Sequence, residues 1–155
     1  TVPDQRWARC DIKTVNLLPN VLARQAARDQ GATEAIMFDP ATGMVREGAS
    51  TSVWIVDAAG VLRTRPLDHA ILPGCTRAAL IAELRAEGIP FEEGEYDLAT
   101  LRAAREIFLT SATSFVKPML KLDGAPVGDG QVGPVARRLF DLFARHVRGG
   151  RNLAA

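Results

Sequence analysis

Lys13 stands in a local sequence that favours the chemistry of a neutral amine. Apolar Ile12 and Val15 flank it, and two arginines precede it at Arg6 and Arg9. Apolar surroundings and nearby cations both lower the pKa of a lysine, and the neutral amine is the form that attacks a carbonyl carbon. The sequence therefore predicts Lys13 as a nucleophile able to form a Schiff base.

The apolar periodicity around this lysine predicts helices mixed with short strands. Strands without a regular βαβ rhythm, and without a Gly-x-Gly-x-x-Gly loop, favour an α+β sheet domain over a Rossmann fold. His146, near arginines on the last helix, is predicted to face solvent. Helices are predicted over 18–30, 76–87, 98–104 with Asp97 as N-cap, and 134–147, and strands over 32–38, 53–57, 61–64, 106–110 and 115–122.

Composition favours a small-molecule function. The chain has 155 residues, 47% of them apolar, which is enough to form one hydrophobic core. Its formal net charge of +1 creates no electrostatic field that would attract nucleic acid or an anionic membrane. Cys10 and Cys75 show no metal-ligand spacing, which predicts reduced thiols and no metal site. With no apolar run near about 18 residues and no secretory pattern, a cytoplasmic location is expected.

The stretch Arg6-Trp7-Ala8-Arg9-Cys10-Asp11-Ile12-Lys13 resembles the lysine segment of class IV (fold-type IV) pyridoxal-phosphate (PLP) aminotransferases. The resemblance implies that Lys13 anchors the cofactor covalently and serves as general acid and base. It also implies that Arg6 reaches the cofactor's phenolic oxygen. Branched-chain members carry a tyrosine five residues after the lysine, where this chain has Leu18, which favours the D-amino-acid branch.

By the same resemblance, Glu47 would sit beside the cofactor's ring nitrogen. It begins a stretch similar to the family's Glu-Gly-x-x-x-Asn segment, with Ser52 in place of the asparagine. A carboxylate there keeps the pyridinium protonated, so that the ring draws electrons from the substrate α-carbon.

The phosphate group would bind at the start of the second helix. Gly74-Cys75-Thr76-Arg77 is similar to the family's Gly-Ile-Thr-Arg, and Leu72 just before it would contact the ring. A helix N-terminus offers unpaired amides and a favourable dipole, and Thr76 would add a cap and a hydroxyl donor. A hydroxyl-rich loop similar to another family segment would complete the phosphate site with Ser111, Ala112 and Thr113.

The resemblance implies the C-terminal large domain of fold-type IV enzymes, an α+β fold whose mixed sheets form a pseudo-barrel with flanking helices. Residues 1–148 would be this PLP-binding domain and 149–155 a flexible tail, with a smaller N-terminal domain missing. The implied reaction is ping-pong transamination of D-alanine and 2-oxoglutarate to pyruvate and D-glutamate, in a homodimer.

Other functions remain open at this stage. Aminodeoxychorismate lyase and branched-chain or amine aminotransferases share the fold. The chain could also be a non-catalytic folding or dimerisation module, because the family's N-terminal domain supplies a further phosphate-binding arginine and the groups that bind the substrate carboxylate. We expect little or no turnover from residues 1–155 alone, and robust transamination by them would refute this expectation.

Overall fold

The fold is centred on a five-stranded sheet in the order β6-β5-β4-β7-β8. The structure is a computed structural model of the chain, and it describes residues 1–149. Neighbouring strands of this sheet are antiparallel except β5 and β6, which are parallel. Its strands are β4 (Ser52–Val56), β5 (Leu62–Thr64), β6 (Glu92–Glu93), β7 (Glu106–Ser111) and β8 (Phe115–Met119).

A second sheet of three short strands carries the start of the chain beside the first sheet. In it β2 pairs in parallel with β1 and antiparallel with β3, and a small separate hairpin joins β9 to β10. The remaining elements are β1 (Val2–Pro3), β2 (Ile36–Phe38), β3 (Val45–Gly48), β9 (Lys121–Leu122), β10 (Ala125–Pro126), α1 (Leu18–Asp29), α2 (Cys75–Ala86), α3 (Leu98–Arg102) and α4 (Pro134–Gly149).

The central sheet is covered on both faces because strand β4 is apolar on both faces. Successive side chains of a strand point to opposite sides. Trp54, stacked on Phe108 at a centroid distance of 5.9 Å, therefore joins the cluster formed with α2 and α4. Val53 and Ile55 join the opposite cluster, which includes Leu101 of α3. This layering explains why the run 52–56 is buried throughout.

Glu106 ties the start of helix α4 to strand β7. Its carboxylate accepts hydrogen bonds from the backbone amides of Val135 (3.1 Å) and Ala136 (2.8 Å). The first amides of a helix have no partner within the helix, and a carboxylate also interacts favourably with the helix dipole. One buried acid therefore holds α4 against the sheet.

Gly133→Ala should destabilise the protein, by about 2–3 kcal/mol. A Cβ at Gly133 would lie 2.0 Å from the carboxyl carbon of Glu106, so the carboxylate that binds the start of α4 would have to move. Urea denaturation measures the change in the free energy of unfolding. Gly149→Ala is the control, because among residues 1–149, apart from its own chain neighbours and helix backbone, no atom lies within 4 Å of its Cβ position. An equal loss in both variants would contradict this explanation.

The α+β class and the mixed sheets with flanking helices are confirmed, although the sheets of residues 1–149 do not close into a barrel. The strand predicted over 32–38 is limited to Ile36–Phe38, and the one over 115–122 is interrupted at Leu120. Gly149 ends α4, and the rest of the predicted tail, 150–155, lies outside the described residues.

The prediction that His146 faces solvent is wrong. Its side chain is only 10% exposed, and its Nδ1 lies 2.9 Å from Oε1 of Glu83 on α2. Its ring also contacts Phe143, with centroids 5.7 Å apart. The apolar period of α4 indicates which of its side chains are buried. It does not indicate that His146, at the edge of that buried face, pairs with Glu83 on another helix.

Candidate active site

All nine residues predicted for the cofactor site line one cavity of about 780 Å³. They come from separate parts of the sequence that the two sheets and α2 bring together. The nine are Arg6, Lys13, Glu47, Leu72, Cys75, Thr76, Ser111, Ala112 and Thr113.

Lys13 is exposed on the loop between β1 and α1 and is one of the residues that line the cavity. Neighbouring residues hold this loop. The backbone N–H of Cys10 donates to the carbonyl of His69 at 2.8 Å. Arg9 donates to both carboxylate oxygens of Asp11, at 2.9 and 2.8 Å, and this lowers the pKa of Asp11 to about 2. Arg9 is therefore ion-paired with its neighbour Asp11.

Glu47 is buried in β3 and uses one carboxylate oxygen to hold the wall of the cavity. Its Oε1 accepts hydrogen bonds from Nη1 of Arg6 and from the backbone N–H of Leu72, the latter at 3.1 Å. Burial raises the pKa of Glu47, while the Arg6 cation and the Leu72 amide partly oppose that rise. Within residues 1–149, Oε2 has no hydrogen-bond partner, so it remains available to a ligand.

The raised pKa of Glu47 predicts a pH-dependent stability. Because the native carboxyl binds its proton more tightly than the unfolded one, it favours folding below its ordinary pKa of 4.5. That contribution is lost as pH rises through the native pKa. Glu47→Gln, which stays neutral, should therefore gain stability relative to wild type across this pH range, as measured by urea denaturation.

Asp39→Asn provides a control of opposite sign. Hydrogen bonds from the Ala41 amide and from Arg46 lower the pKa of Asp39, so its contribution is present at high pH and lost on acidification. This variant should lose stability relative to wild type as pH rises. A pH-independent difference between Glu47→Gln and wild type would show that Glu47 has no raised native pKa.

The N-terminus of α2 opens into the cavity without a side-chain cap. Gly74 is the N-cap and α2 begins at Cys75, so the expectation that Thr76 caps the helix is wrong. Thr76 is 6% exposed, and its hydroxyl has no hydrogen-bond partner within the described part of the chain. A Cβ at Gly74 would lie 2.9 Å from Oγ of Ser52, so the glycine lets these two segments approach closely. The amides and hydroxyl here suit an anion.

A three-residue turn between β7 and β8 contributes the second set of hydroxyls. Oγ of Ser111 lies 3.2 Å from Oγ1 of Thr113 and 2.8 Å from Oγ of Ser114. Phe115 closes the turn with a φ of 53°, a left-handed conformation that is common at the end of such hairpin loops but costly for a bulky residue. The turn thus presents its hydroxyls as a connected group.

Thr51 and Asp4 are among the residues near the cavity that were not predicted from the sequence. Thr51 lines the cavity, and its Oγ1 is buried and has no hydrogen-bond partner among residues 1–149. Asp4 lies behind Arg6 and binds its side chain. The only signal in the sequence was proximity, since Asp4 stands two residues before Arg6 and Thr51 follows the Glu47 segment.

Sequence similarity shows which protein family the chain belongs to. The family model for amino-transferase class IV matches residues 1–122. The chain belongs to that family. D-alanine aminotransferase from Staphylococcus aureus (strain MSSA476) is 42% identical to this class IV chain over 147 residues, or 95% of this chain and 51% of the relative. The protein of that name from Listeria monocytogenes serotype 4b (strain F2365) is 39% identical, with 50% of its length covered.

Solved structures similar to this class IV chain include branched-chain aminotransferases. The enzyme from Thermoproteus uzoniensis with norvaline has a TM-score of 0.84 at 30% identity, over 97% of this chain and 52% of that one. The Escherichia coli enzyme has a TM-score of 0.79 at 31% identity, over 93% and 50%. The Thermobaculum terrenum enzyme is in its PLP form, with a TM-score of 0.84 at 28% identity, over 96% and 50%. Members of the family are thus PLP-dependent.

The class IV chain spans about half the length of the curated relatives it matches. Among residues 1–149, no helix combines the length and apolar character needed to cross a membrane. The same residues contain no group of three or more His, Cys, Asp or Glu side chains placed to bind a metal ion.

Proposed function

We propose that this chain is the PLP-binding part of an enzyme that transaminates D-amino acids, converting D-alanine and 2-oxoglutarate to pyruvate and D-glutamate. The observation that carries the proposal is the meeting of nine residues, chosen from the sequence, in a single cavity. Relatives named D-alanine aminotransferase support the substrate class. Leu18, in place of the tyrosine of branched-chain members, supports the same branch.

The free polar groups of the cavity fit the cofactor. Lys13 offers the amine that would hold the cofactor, and Oε2 of Glu47, which has no hydrogen-bond partner in the described part of the chain, suits a protonated ring nitrogen. The uncapped α2 N-terminus, the Thr76 hydroxyl and the turn at Ser111 suit a phosphate. Leu72 adds an apolar contact for the ring. Within residues 1–149, Oε2 of Glu47 and the Thr76 hydroxyl have none of the hydrogen-bond partners that a solely structural role would provide.

Each residue would have a separate task. PLP, when bound, withdraws electrons from the substrate α-carbon. The Lys13 amine would hold the cofactor, remove the substrate α-proton as a base and return that proton as an acid. Glu47 holds a proton at the ring nitrogen, and Arg6 keeps a positive charge beside Glu47. In the implied ping-pong cycle, the amino acid would give up its amino group and leave as a 2-oxo acid, and a second 2-oxo acid would accept that amino group.

Branched-chain transamination is the second candidate function. It is favoured by the likeness to branched-chain enzymes, with TM-scores of 0.84 and 0.79 at 30% and 31% identity. Comparing D-alanine with L-leucine as amino donors separates the two functions. Release of pyruvate from aminodeoxychorismate, without amino transfer, would instead support the lyase.

Residues 1–148 form the proposed PLP-binding domain, and the proposed enzyme is a homodimer acting in the cytoplasm. Several exposed apolar residues support a contact with another domain or subunit, since burying them would be favourable. They are Val15, at 97% exposed, Leu17, Leu18, Val21 and Leu22. If turnover requires that contact, residues 1–155 alone would bind PLP without catalysing transamination.

The test is an absorbance spectrum of the protein mixed with PLP, followed by borohydride reduction and peptide mapping. The chain has three lysines, Lys13, Lys117 and Lys121, so the labelled peptide identifies the anchor. A visible band with the label on Lys13 is the expected result. Labelling of Lys117 or Lys121, or no stable label, would overturn the proposed site.

A further inference from the structure

Asp4 is a buried acid that lies next to the cavity without lining it. Its carboxylate is fully buried, and its backbone N–H donates to the carbonyl of Phe38 at 2.8 Å, which fixes it at the end of β1. It is absent from the cavity lining, where Gln5 and Arg6 follow it in sequence. Any influence of Asp4 on a bound ligand must therefore pass through a neighbouring residue.

That neighbour is Arg6, whose guanidinium is bound along one edge by Asp4. Nε of Arg6 donates to Oδ1 at 3.0 Å, and Nη2 donates to Oδ2 at 2.8 Å. Nη2 also donates to the carbonyl of Ala70 at 2.9 Å, and Nη1 donates to Glu47. Of the five guanidinium hydrogens, these bonds leave one on Nη1, the nitrogen that contacts Glu47.

We propose that Asp4 is a positioning residue, which holds the Nε–Nη2 edge of Arg6 so that the remaining Nη1 hydrogen is presented to the cofactor beside Glu47. The inference rests on the proposed function, because the acceptor of that hydrogen is a group of bound PLP. Asp4 itself touches neither the cofactor nor the substrate.

A second arginine makes the charge of Asp4 hard to replace. Arg46 donates from Nη1 to Oδ2 of Asp4 at 3.2 Å and from Nη2 to Asp39 at 3.0 Å. Glu47, Arg6, Asp4, Arg46 and Asp39 therefore alternate in sign from the cavity outwards. An asparagine at position 4 has a single acceptor oxygen, and its amide donors would face the donors of one or both arginines.

The first experiment observes Arg6 directly, in the protein without ligand. The Nε–H resonance of Arg6 should exchange slowly with solvent in wild type, because the hydrogen is buried and bonded to Asp4. Asp4→Asn should accelerate this exchange at least about tenfold, since one bidentate partner is lost. Asp39→Asn is the matched control. It neutralises the outermost acid of the same series of charges, and Asp39 pairs with Arg46 and not with Arg6. Unchanged exchange in Asp4→Asn would overturn the proposal.

The second experiment measures PLP binding and the pH midpoint of the visible band of the bound cofactor. Asp4→Asn should weaken binding by about tenfold or more and shift the midpoint in the same direction as Arg6→Gln, while Asp39→Asn changes neither. The double variant should match Arg6→Gln alone, because Asp4 acts only through Arg6. Additive effects, or a shift in the opposite direction, would reject a positioning role.

Two further measurements, on Asp4→Glu and on wild type, distinguish a failure of the Asp4 proposal from a failure of the proposed function. Asp4→Glu preserves the charge balance but moves the carboxylate by one methylene, so it should fold and still weaken PLP binding; unaltered binding would count against the proposal. Failure of wild type to bind PLP would refute the proposed function and with it any role of Asp4 towards the cofactor. Normal wild-type binding with no response to Asp4→Asn would refute only the role of Asp4.

Discussion

Lys13→Ala should reduce transamination by the complete enzyme by about ten-thousandfold, while the protein remains folded. The change removes both the covalent anchor and the base that carries the α-proton. Lys13 lies on an exposed loop, so its loss should change the free energy of unfolding by no more than about 0.5 kcal/mol. Single-turnover rates with D-alanine, together with urea denaturation, measure the two effects.

Lys117→Ala and Lys121→Ala are the controls for this prediction. Lys117 lies in β8 and Lys121 in β9, and neither lines the cavity, so both variants should leave the rate unchanged. Loss of activity in either control, or retention of more than about a tenth of the rate in Lys13→Ala, would contradict the assignment. Added methylamine should partly restore the rate of Lys13→Ala, because it replaces the base but not the anchor.

The sequence was sufficient to predict the helices because their boundaries depend on local chemistry. Asp97 illustrates this, since its side chain accepts a hydrogen bond from the Thr100 amide at 2.8 Å at the predicted start of α3. Strands β1 and β3 were not predicted, because two- and four-residue strands have too few positions for an apolar pattern. Each is stabilised by pairing with β2, a long-range interaction that local propensity does not reveal.

The site residues were predictable to the extent that they belong to short ordered motifs. Lys13, Glu47 and Thr76 each stand in such a motif, and the structure places all three around one cavity. Asp4 belongs to no motif, and its role depends on the direction of the Arg6 side chain across the β1–β2–β3 sheet. Thr51 was missed for the same reason, since burial without a partner is a property of the folded chain.

Glu47→Gln should lower the transamination rate by about a hundredfold to a thousandfold, with a smaller effect on PLP binding. The amide still offers an oxygen to Arg6 and to the Leu72 N–H, so the wall of the cavity should persist. It cannot hold a negative charge opposite a protonated ring nitrogen, and the cofactor would then withdraw electrons less strongly. The rate of α-proton exchange from D-alanine into solvent measures this step.

Glu34→Gln is a matched control for Glu47→Gln. Glu34 is also paired with an arginine, since Nη2 of Arg24 lies 2.8 Å from its Oε2, and its side chain is only 5% exposed. It lies outside the cavity, however, so its neutralisation should reduce stability without changing proton exchange. Equal losses of rate in both variants would mean that Glu47 acts through the fold. A loss confined to Glu47→Gln would place the effect in the charge that Glu47 presents to the cavity, because the two variants neutralise glutamate side chains that are similarly buried and both paired with an arginine.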